Sequence, residues 1–184
     1  MIRCLNWLRD ISIVDNMSEI YFAGGCFWGT QHFLKQINGV LSTEVGYANG
    51  NIPNPTYEQV YTDATGYAET VKLVYDPEVV DLRLLLELYF RSIDPTALNH
   101  QGGDFGTRYR TGIYYTTADD LHLITEVYGH IERFVGEPLA VEVEPLKNFY
   151  PAEDYHQDYL DKNPDGYCHI PYALMIMARE ANNE

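Results

Sequence analysis

The sequence has few cysteines, and their number excludes a small secreted scaffold held together by disulfides. Its 184 residues include only Cys4, Cys26 and Cys168, whereas disulfide-dense secreted domains carry several pairs in a shorter chain. No apolar run is long enough to span a bilayer. Polar and charged side chains interrupt residues 1–14, and no small-residue cleavage site follows, so this stretch does not resemble a signal peptide. We therefore predict a protein of the reducing cytoplasm.

Basic residues are also scarce. The chain has 12 Lys and Arg residues against 27 Asp and Glu residues, a net charge of −15. Such a surface repels nucleic acids and anionic membranes, so neither is an expected partner. Internal repeats, low-complexity segments and interdomain linkers are absent, and the length suits one domain with a substantial core. A monomer is the expected state.

The most informative segment is residues 24–29, with the sequence Gly-Gly-Cys-Phe-Trp-Gly. Residues 19–23 alternate like a half-buried strand, and the apolar residues at 33, 34 and 37 recur at helical spacing. Cys26 is therefore predicted at a strand-to-helix turn, where free backbone N–H groups and the helix dipole favour an anion. The alternative is a buried structural thiol. The flanking glycines and aromatic side chains favour a reactive thiolate beside an apolar wall.

The pattern along the chain predicts an α+β fold. Strands are expected over residues 19–23, 42–47, 68–75, 111–115 and 140–144, and helices after residue 26, over 81–91, over 117–135 and over 154–160. The loop over residues 93–108 is unusually long and polar, which suggests a functional role. The order β-α-β-β-α-β predicts a two-layer sandwich with a mixed, ferredoxin-like sheet, followed by an irregular C-terminal segment.

Glu69 is the carboxyl group of greatest interest. Period-two alternation places it on the same strand face as Val71, Leu73 and Tyr75. If this face is turned inward, the carboxyl is desolvated, its pKa is raised, and it holds a proton near neutral pH. The alternative is a strand-edge position from which Glu69 reaches solvent. The pattern alone does not choose between them.

Two tyrosines and a second thiol complete the set of candidates. Tyr57 and Tyr109 lie in polar loops, where a phenol can donate to a ligand oxygen without bringing charge; with 16 tyrosines in the chain, packing is the alternative role. Cys168 lies far along the sequence from Cys26, in a segment rich in Pro and Gly. It could resolve an oxidised Cys26, be an inert surface thiol, or bind metal, although its spacing from His156 and His169 matches no common metal site.

Six motifs over residues 19–170 together resemble the A-type peptide methionine sulfoxide reductases. In chain order they are GGCFWG at 24–29, GYANG at 46–50, NPTY at 54–57, GYAE at 66–69, GDFGTRYR at 103–110 and AEDYHQDYL at 152–160, the last followed by NP at 163–164 and GYC at 166–168. Six motifs in one order are far more specific than any one of them. The sequence departs from the family pattern at Tyr67, where histidine is usual, and at Gly103, where asparagine is common.

The resemblance implies roles for the residues around Cys26. The thiol would attack the sulfur of the methionine sulfoxide, and Phe27 with Trp28 would form the wall of a pocket for the substrate methyl group. Glu69 would protonate the sulfoxide oxygen as the S–O bond breaks. The family acts on the S epimer of the sulfoxide in oxidised proteins and peptides, and it needs neither a metal nor an organic cofactor.

The resemblance also implies a polar side of the site and a recycling step. Tyr57 and Tyr109 would donate hydrogen bonds to the sulfoxide oxygen, and Asp104 would help to order this side. After methionine leaves, Cys168 would condense with the sulfenic acid on Cys26, and thioredoxin, or dithiothreitol in vitro, would reduce the resulting disulfide. The expected organisation is a dispensable extension over residues 1–18, a catalytic domain over 19–170 and a C-terminal tail over 171–184.

Two other functions are compatible with a reactive cysteine. In a cysteine acyl-transfer or hydrolase enzyme, Cys26 would pair with an imidazole such as that of His156. In a non-catalytic redox switch or peptide-binding module, the thiols would form a disulfide without producing methionine. The first predicts a histidine nitrogen within hydrogen-bond reach of the sulfur, and the second predicts no turnover of sulfoxide.

Overall fold

The computed structural model of the chain describes residues 17–181. Cys4 and nearly all of the predicted N-terminal extension lie outside these residues. Eight strands occur in chain order: β1 (Ser18–Gly24), β2 (Val40–Ala48), β3 (Ala68–Tyr75), β4 (His100–Gln101), β5 (Asp104–Phe105), β6 (Thr111–Tyr115), β7 (Glu142–Pro145) and β8 (Phe149–Pro151). The helices are α1 (Phe27–Leu34), α2 (Tyr57–Tyr61), α3 (Leu82–Ser92), α4 (Ala118–Val135), α5 (Tyr159–Lys162) and α6 (Tyr172–Glu180), with a 3₁₀ turn at Thr107–Tyr109.

The main sheet has six strands in the order β7-β6-β1-β3-β2-β8. Its β6–β7 pair is parallel and its other pairs are antiparallel. The four strands β6-β1-β3-β2 have the order of a ferredoxin-like sheet, so the predicted α+β class and mixed sheet are confirmed. Strands β4 and β5 form a separate short hairpin inside the long polar loop.

The hydrophobic core lies between the sheet and the helices α1, α3 and α4. Alternate strand residues such as Ile20 and Phe22 enter it, and α3 contributes Leu85, Leu86 and Tyr89, all at 0% exposure. Burial of this kind stabilises a domain by about 25 cal/mol per Å² of apolar area. The opposite sheet face carries a smaller apolar cluster, which Phe149 and Leu146 partly cover.

Several predicted boundaries are confirmed by local interactions. Strands β3 and β6 begin and end at the predicted residues. Asp81 caps α3, because its carboxylate accepts a hydrogen bond from the Leu84 N–H at 2.8 Å. Gly136 ends α4 in the left-handed conformation, with φ 81°. These signals are read correctly because each of them acts within a few residues.

Three elements outside the long loop are not predicted from the sequence, in addition to the β4–β5 hairpin and the 3₁₀ turn within it. Helix α2 is only five residues long and depends on a capping box between Thr56 and Gln59. Strand β8 has three residues and exists because it pairs with β2. The predicted C-terminal tail contains α6, which follows Pro171 and buries Met175 and Ala178. The short helix predicted over residues 154–160 occurs later, as α5. Short elements of this kind are set by tertiary contacts rather than by periodicity.

Substitution by alanine is expected to have opposite effects on stability at Gly129 and at Gly136, the two glycines of the α4 region. A Cβ on Gly136 would meet nothing within 4 Å, but its φ of +81° strains any L side chain, so Gly136→Ala is expected to lower the free energy of unfolding by about 1 kcal/mol. Gly129 lies inside the helix, where a Cβ meets only the flexible end of Arg133 at 3.3 Å. Gly129→Ala is expected to raise stability by up to about 1 kcal/mol. Urea denaturation measures both changes, and the same sign for both would contradict this account.

Candidate active site

Cys26 lies at the junction of β1 and α1, as the sequence predicts. It is the N-cap residue of α1, and its side chain is 7% exposed. The backbone N–H groups of Trp28 and Gly29 act to lower the pKa of its thiol, which favours the thiolate. The sulfur therefore lies where the free donors of the helix converge.

Gly25 makes this junction possible. Its φ is +84°, and a Cβ on it would lie 2.6 Å from the Cβ of Gln101. Gln101 in turn holds the long loop closed, because its amide exchanges two 2.8 Å hydrogen bonds with the backbone of Asp94. The loop over residues 93–108 is thereby packed against the residue before the nucleophile.

The start of α1 lowers the pKa of the Cys26 thiol less than the sequence predicts. Burial, followed by the negative charge of Glu69, raises the pKa of Cys26 above its ordinary value, although the two N–H donors act in the opposite direction. The helix start therefore does not outweigh burial, contrary to the prediction from the sequence. The thiolate becomes accessible when Glu69 is neutral, since one of the two opposing causes is then removed.

Glu69 is on the inward face of β3, and the strand-edge alternative is wrong. Its side chain is 2% exposed, and its Oε2 accepts a hydrogen bond from the Phe27 N–H at 3.0 Å. Burial raises the pKa of Glu69 to about 8, against the opposing effects of this hydrogen bond and of Arg108. The carboxyl group therefore retains its proton at neutral pH and lies next to the backbone of the nucleophile.

Tyr57 and Tyr109 lie on the polar side of Glu69. Tyr57 is the first residue of α2, and Tyr109 ends the 3₁₀ turn. Burial and the charge of Glu69 raise the pKa of Tyr57 to about 12 and raise that of Tyr109 further. Both phenols are therefore protonated at neutral pH and able to donate a hydrogen bond. The shared influence of Glu69 and, for Tyr57, of Cys26 places the two hydroxyl groups in the same site.

Arg108 is a component of this side that the sequence analysis misses. It is 7% exposed, pairs with Asp63 at 2.8 Å, and lies 4.3 and 4.4 Å from the ring centres of Tyr61 and Tyr109. Its positive charge acts against the rise in the pKa of Tyr109. Arg108 lies inside the motif at residues 103–110. Its burial depends on its pairing with Asp63, 45 residues earlier, and no local pattern reveals that pairing.

Phe27 and Trp28 are the two aromatic side chains at the start of α1. Phe27 is buried, whereas Trp28 is partly exposed. The Trp28 indole stacks on Tyr159 with 3.7 Å between the ring centres and donates to His156 Nδ1 at 3.1 Å. His156 also packs against the ring of Tyr57 at 4.6 Å. The indole is thereby held in one orientation.

With these contacts, His156 does not form a hydrogen bond with the Cys26 sulfur. His156 Nδ1 accepts from the indole, and its Nε2 has no hydrogen-bond partner within residues 17–181. Burial lowers the pKa of His156, so the ring is a neutral acceptor for Trp28. The imidazole–sulfur hydrogen bond expected of an acyl-transfer enzyme is not formed.

Glu153 is a second component that the sequence analysis leaves without a role. Its carboxylate accepts from the Tyr57 N–H at 2.9 Å and from the Tyr47 hydroxyl at 2.8 Å. Tyr47 is paired in register with Glu69 across the β2–β3 ladder. Glu153 therefore fixes the start of α2 relative to the strand that carries the buried carboxyl.

Asp104 and Cys168 approach Cys26 from the long loop and from the C-terminal segment. Asp104 interacts with the Tyr167 hydroxyl, and its charge acts on both Cys26 and Glu69. Cys168 is partly buried, and its Sγ lies 3.3 Å from the position that a Cβ on Gly29 would occupy. The Cys168 sulfur thus lies close to the first turn of α1.

The two thiols near α1 are free, and Cys168 donates weakly to the Ile170 carbonyl at 3.5 Å. Over residues 17–181, no group of three or more His, Cys, Asp or Glu side chains is arranged to hold a metal ion. Among the helices of that range, none combines the length and apolar character needed to cross a membrane.

Comparison with known proteins identifies the family. The family model described as peptide methionine sulfoxide reductase matches residues 18–184. The chain belongs to this family. It is 54% identical to the peptide methionine sulfoxide reductase MsrA of Clostridium acetobutylicum over 86% of this chain and 98% of the relative. The MsrA of Lachnoclostridium phytofermentans is 52% identical over 88% and 98% of the two chains.

Solved structures of the family agree with the fold. Mxr1 of Saccharomyces cerevisiae in its reduced form has a TM-score of 0.80 and 40% identity, covering 84% of this chain and 90% of Mxr1. Methionine sulfoxide reductase A of Corynebacterium diphtheriae has a TM-score of 0.75 and 33% identity, covering 85% and 84% of the two chains. The predicted family and fold are confirmed, and this chain is a peptide methionine sulfoxide reductase of the A type, an enzyme that reduces methionine sulfoxide with thiols.

The raised pKa of Glu69 is directly measurable. In protein labelled with ¹³C at the glutamate side-chain carboxyl, one resonance is expected to titrate with a midpoint near pH 8, because burial disfavours the carboxylate. The resonance is assigned by its absence from Glu69→Gln. A titration of that resonance completed below pH 6 would contradict the buried, protonated carboxyl.

Proposed function

We propose that this reductase acts on the S epimer of methionine sulfoxide, in peptides and proteins, with Cys26 as nucleophile and Glu69 as proton donor. The single observation that supports this most directly is the hydrogen bond from the Phe27 N–H to the Glu69 carboxyl at 3.0 Å. It places a protonated carboxyl, with a pKa of about 8, beside the residue that follows the thiol. Sulfoxide reduction needs a soft nucleophile and a proton for a poor leaving oxygen, and these two groups supply them.

The first chemical step transfers oxygen from the substrate to the enzyme. The Cys26 sulfur attacks the sulfoxide sulfur, Glu69 protonates the sulfoxide oxygen, and the oxygen ends on Cys26 as a sulfenic acid while methionine leaves. The proton from the Cys26 thiol restores the carboxyl of Glu69, so the step consumes no external proton. The methionine sulfoxide is reduced by two electrons to methionine, and Cys26 is oxidised by two.

The remaining site residues bind the substrate in this proposal. Phe27 and Trp28 form the apolar wall for the substrate methyl group, and the held orientation of the indole supports this role. Tyr57 and Tyr109 donate to the sulfoxide oxygen without adding charge. Asp104 orders the polar side through Tyr167. An apolar wall opposite a set of donors distinguishes methyl from oxygen, which is what selection of one epimer at sulfur requires.

Recycling uses Cys168 in this proposal. The Cys168 thiol attacks the sulfenic sulfur of Cys26, a disulfide forms, and the hydroxyl group leaves as water with the thiol proton. The closeness of the Cys168 sulfur to Gly29, three residues after Cys26, supports this pairing. Thioredoxin is the proposed reductant, because a relative, Mxr1 of Saccharomyces cerevisiae, has been solved in complex with Trx2, with a TM-score of 0.57 and 28% identity to this chain.

Substrate stereochemistry provides the first test. Wild-type protein is incubated with a racemic blocked methionine sulfoxide and dithiothreitol, and each epimer is followed on a chiral column. Only the S epimer is expected to be consumed, and Cys26→Ser is expected to abolish its loss, because a hydroxyl is a poor nucleophile towards sulfur. If the folded wild-type protein consumes neither epimer, the proposed chemistry fails and a thiol switch explains the cysteines better.

The role of Glu69 predicts a specific dependence on pH. Methionine formation in a single turnover is expected to fall as pH rises through about 8, because the proton donor is lost as Glu69 ionises. Glu69→Gln cannot donate that proton and is expected to lower the rate at pH 7 by about 10²–10⁴-fold. The falling limb should disappear in this variant. Rapid-quench measurement of methionine checks both, and a Gln variant with the wild-type rate would exclude Glu69 as the donor.

A further inference from the structure

His169 follows Cys168 directly and contacts the start of α1. Its Nε2 is 3.0 Å from the carbonyl oxygen of Gly24, which ends β1. The ring also lies against two glycines that flank Cys26 in sequence. A Cβ on Gly25 would be 3.5 Å from Nε2, and a Cβ on Gly29 would be 2.9 Å from Nδ1. The imidazole thus rests on bare backbone beside the nucleophile.

The position of the Cys168 sulfur follows from the same contact. Its Sγ lies 3.3 Å from the place where a Cβ on Gly29 would be, and His169 Nδ1 lies 2.9 Å from that place. The sulfur and the ring therefore occupy the same small area over the first turn of α1. Gly29 is what leaves this area open to both.

Residues 163–171 form turns and irregular backbone between α5 and α6. Apolar packing fixes one end of this segment, because Ile170 is 4% exposed and belongs to the main core, against which Cys168 also packs. The polar contacts of residues 166–170 with distant described residues are those of the Tyr167 hydroxyl, which accepts from the Gly103 N–H at 3.4 Å and interacts with Asp104, and that of His169 with Gly24. The shorter of these contacts, from His169 to Gly24, connects the segment to the two glycines that precede Cys26.

The protonation state of His169 matches a fixed donor. Burial lowers the pKa of His169, against the opposing effects of Asp104 and of the Gly24 carbonyl, so the ring is neutral at neutral pH. Because a carbonyl can only accept, Nε2 carries the hydrogen. Nδ1 then has a lone pair and no hydrogen-bond partner among the described residues. Among the described residues, the hydrogen bond to Gly24 is the one hydrogen bond that orients the ring.

We propose that His169 is a positioning residue for the recycling step: its Nε2–H bond to Gly24 holds the Cys168 sulfur on the first turn of α1, ready to attack the sulfenic acid of Cys26. This inference rests on the proposed resolving role of Cys168. In that step the S–S bond forms, the S–O bond of the sulfenic acid breaks, and the thiol proton leaves with the hydroxyl as water. Holding the attacking thiol in place raises the rate by pre-organisation, without changing the oxygen-transfer step.

The test compares His169→Leu with His169→Gln in a single turnover without reductant. Glutamine places an N–H near the position of Nε2, whereas leucine has no donor. Methionine release and loss of free thiols are followed separately by rapid quench. We expect methionine at the wild-type rate in both variants, thiol loss at least tenfold slower in His169→Leu, and recovery of most of that rate in His169→Gln. His122→Leu, on the exposed side of α4, is the matched control and should change neither rate.

Steady-state turnover supplies a second readout. Dithiothreitol can reduce a sulfenic acid directly, so its turnover with His169→Leu should stay near wild type, whereas thioredoxin-supported turnover should fall at least fivefold. If His169→Leu loses thiols as fast as wild type, or if His169→Gln is as slow as His169→Leu, the positioning role is overturned. If wild-type protein releases methionine without losing two thiols, the resolving role of Cys168 is wrong, and if it releases no methionine, the proposed function itself fails.

Discussion

The hydrogen bond between the Phe27 N–H and the Glu69 carboxyl is the constraint on which the site depends. It joins the first residue of α1 to the second residue of β3, and it lies entirely inside the protein. Two acids, the Cys26 thiol and the Glu69 carboxyl, are thereby confined to one desolvated space. Burial raises the pKa of each, and the charge of Glu69 raises that of Cys26 further. The site therefore disfavours two simultaneous negative charges, and a thiolate at Cys26 goes together with a neutral Glu69.

The framework around this pair explains why it persists. The β2–β3 register sets Tyr47 opposite Glu69, and Glu153 ties Tyr47 to the start of α2. A shift of one residue in that register would turn Glu69 to the other face of the sheet. The Glu69 carboxyl thus stays buried because Glu69 lies on a paired strand and not in a loop.

The sequence predicts those parts of the molecule that local chemistry decides. The bounds of β3, the start of the helix predicted over residues 81–91 and the position of Cys26 all follow from spacing within a few residues. Arg108 and Glu153 escape it, because their burial and partners come from elements far along the chain. The pKa of Cys26 is mispredicted for the same reason: the helix start is visible in the sequence, whereas the depth of burial and the nearness of Glu69 arise only on folding. For Glu69, alternation identifies the face of β3 on which it lies. Only the packing of α1 against that face shows that the carboxyl is shielded from water.

The first turn of α1 presents two different surfaces, one formed by Trp28 and the other by Gly29. Trp28 projects towards His156 and Tyr159, whereas Gly29, one position later, exposes bare backbone to His169 and the Cys168 sulfur. Consecutive helical residues point about 100° apart, so these two surfaces do not compete. A side chain at position 29 would displace His169 and the Cys168 sulfur while leaving the indole in place. In the proposed reaction cycle the two residues are therefore complementary: the tryptophan faces the substrate of the oxygen-transfer step, and the glycine leaves room for the thiol that acts next.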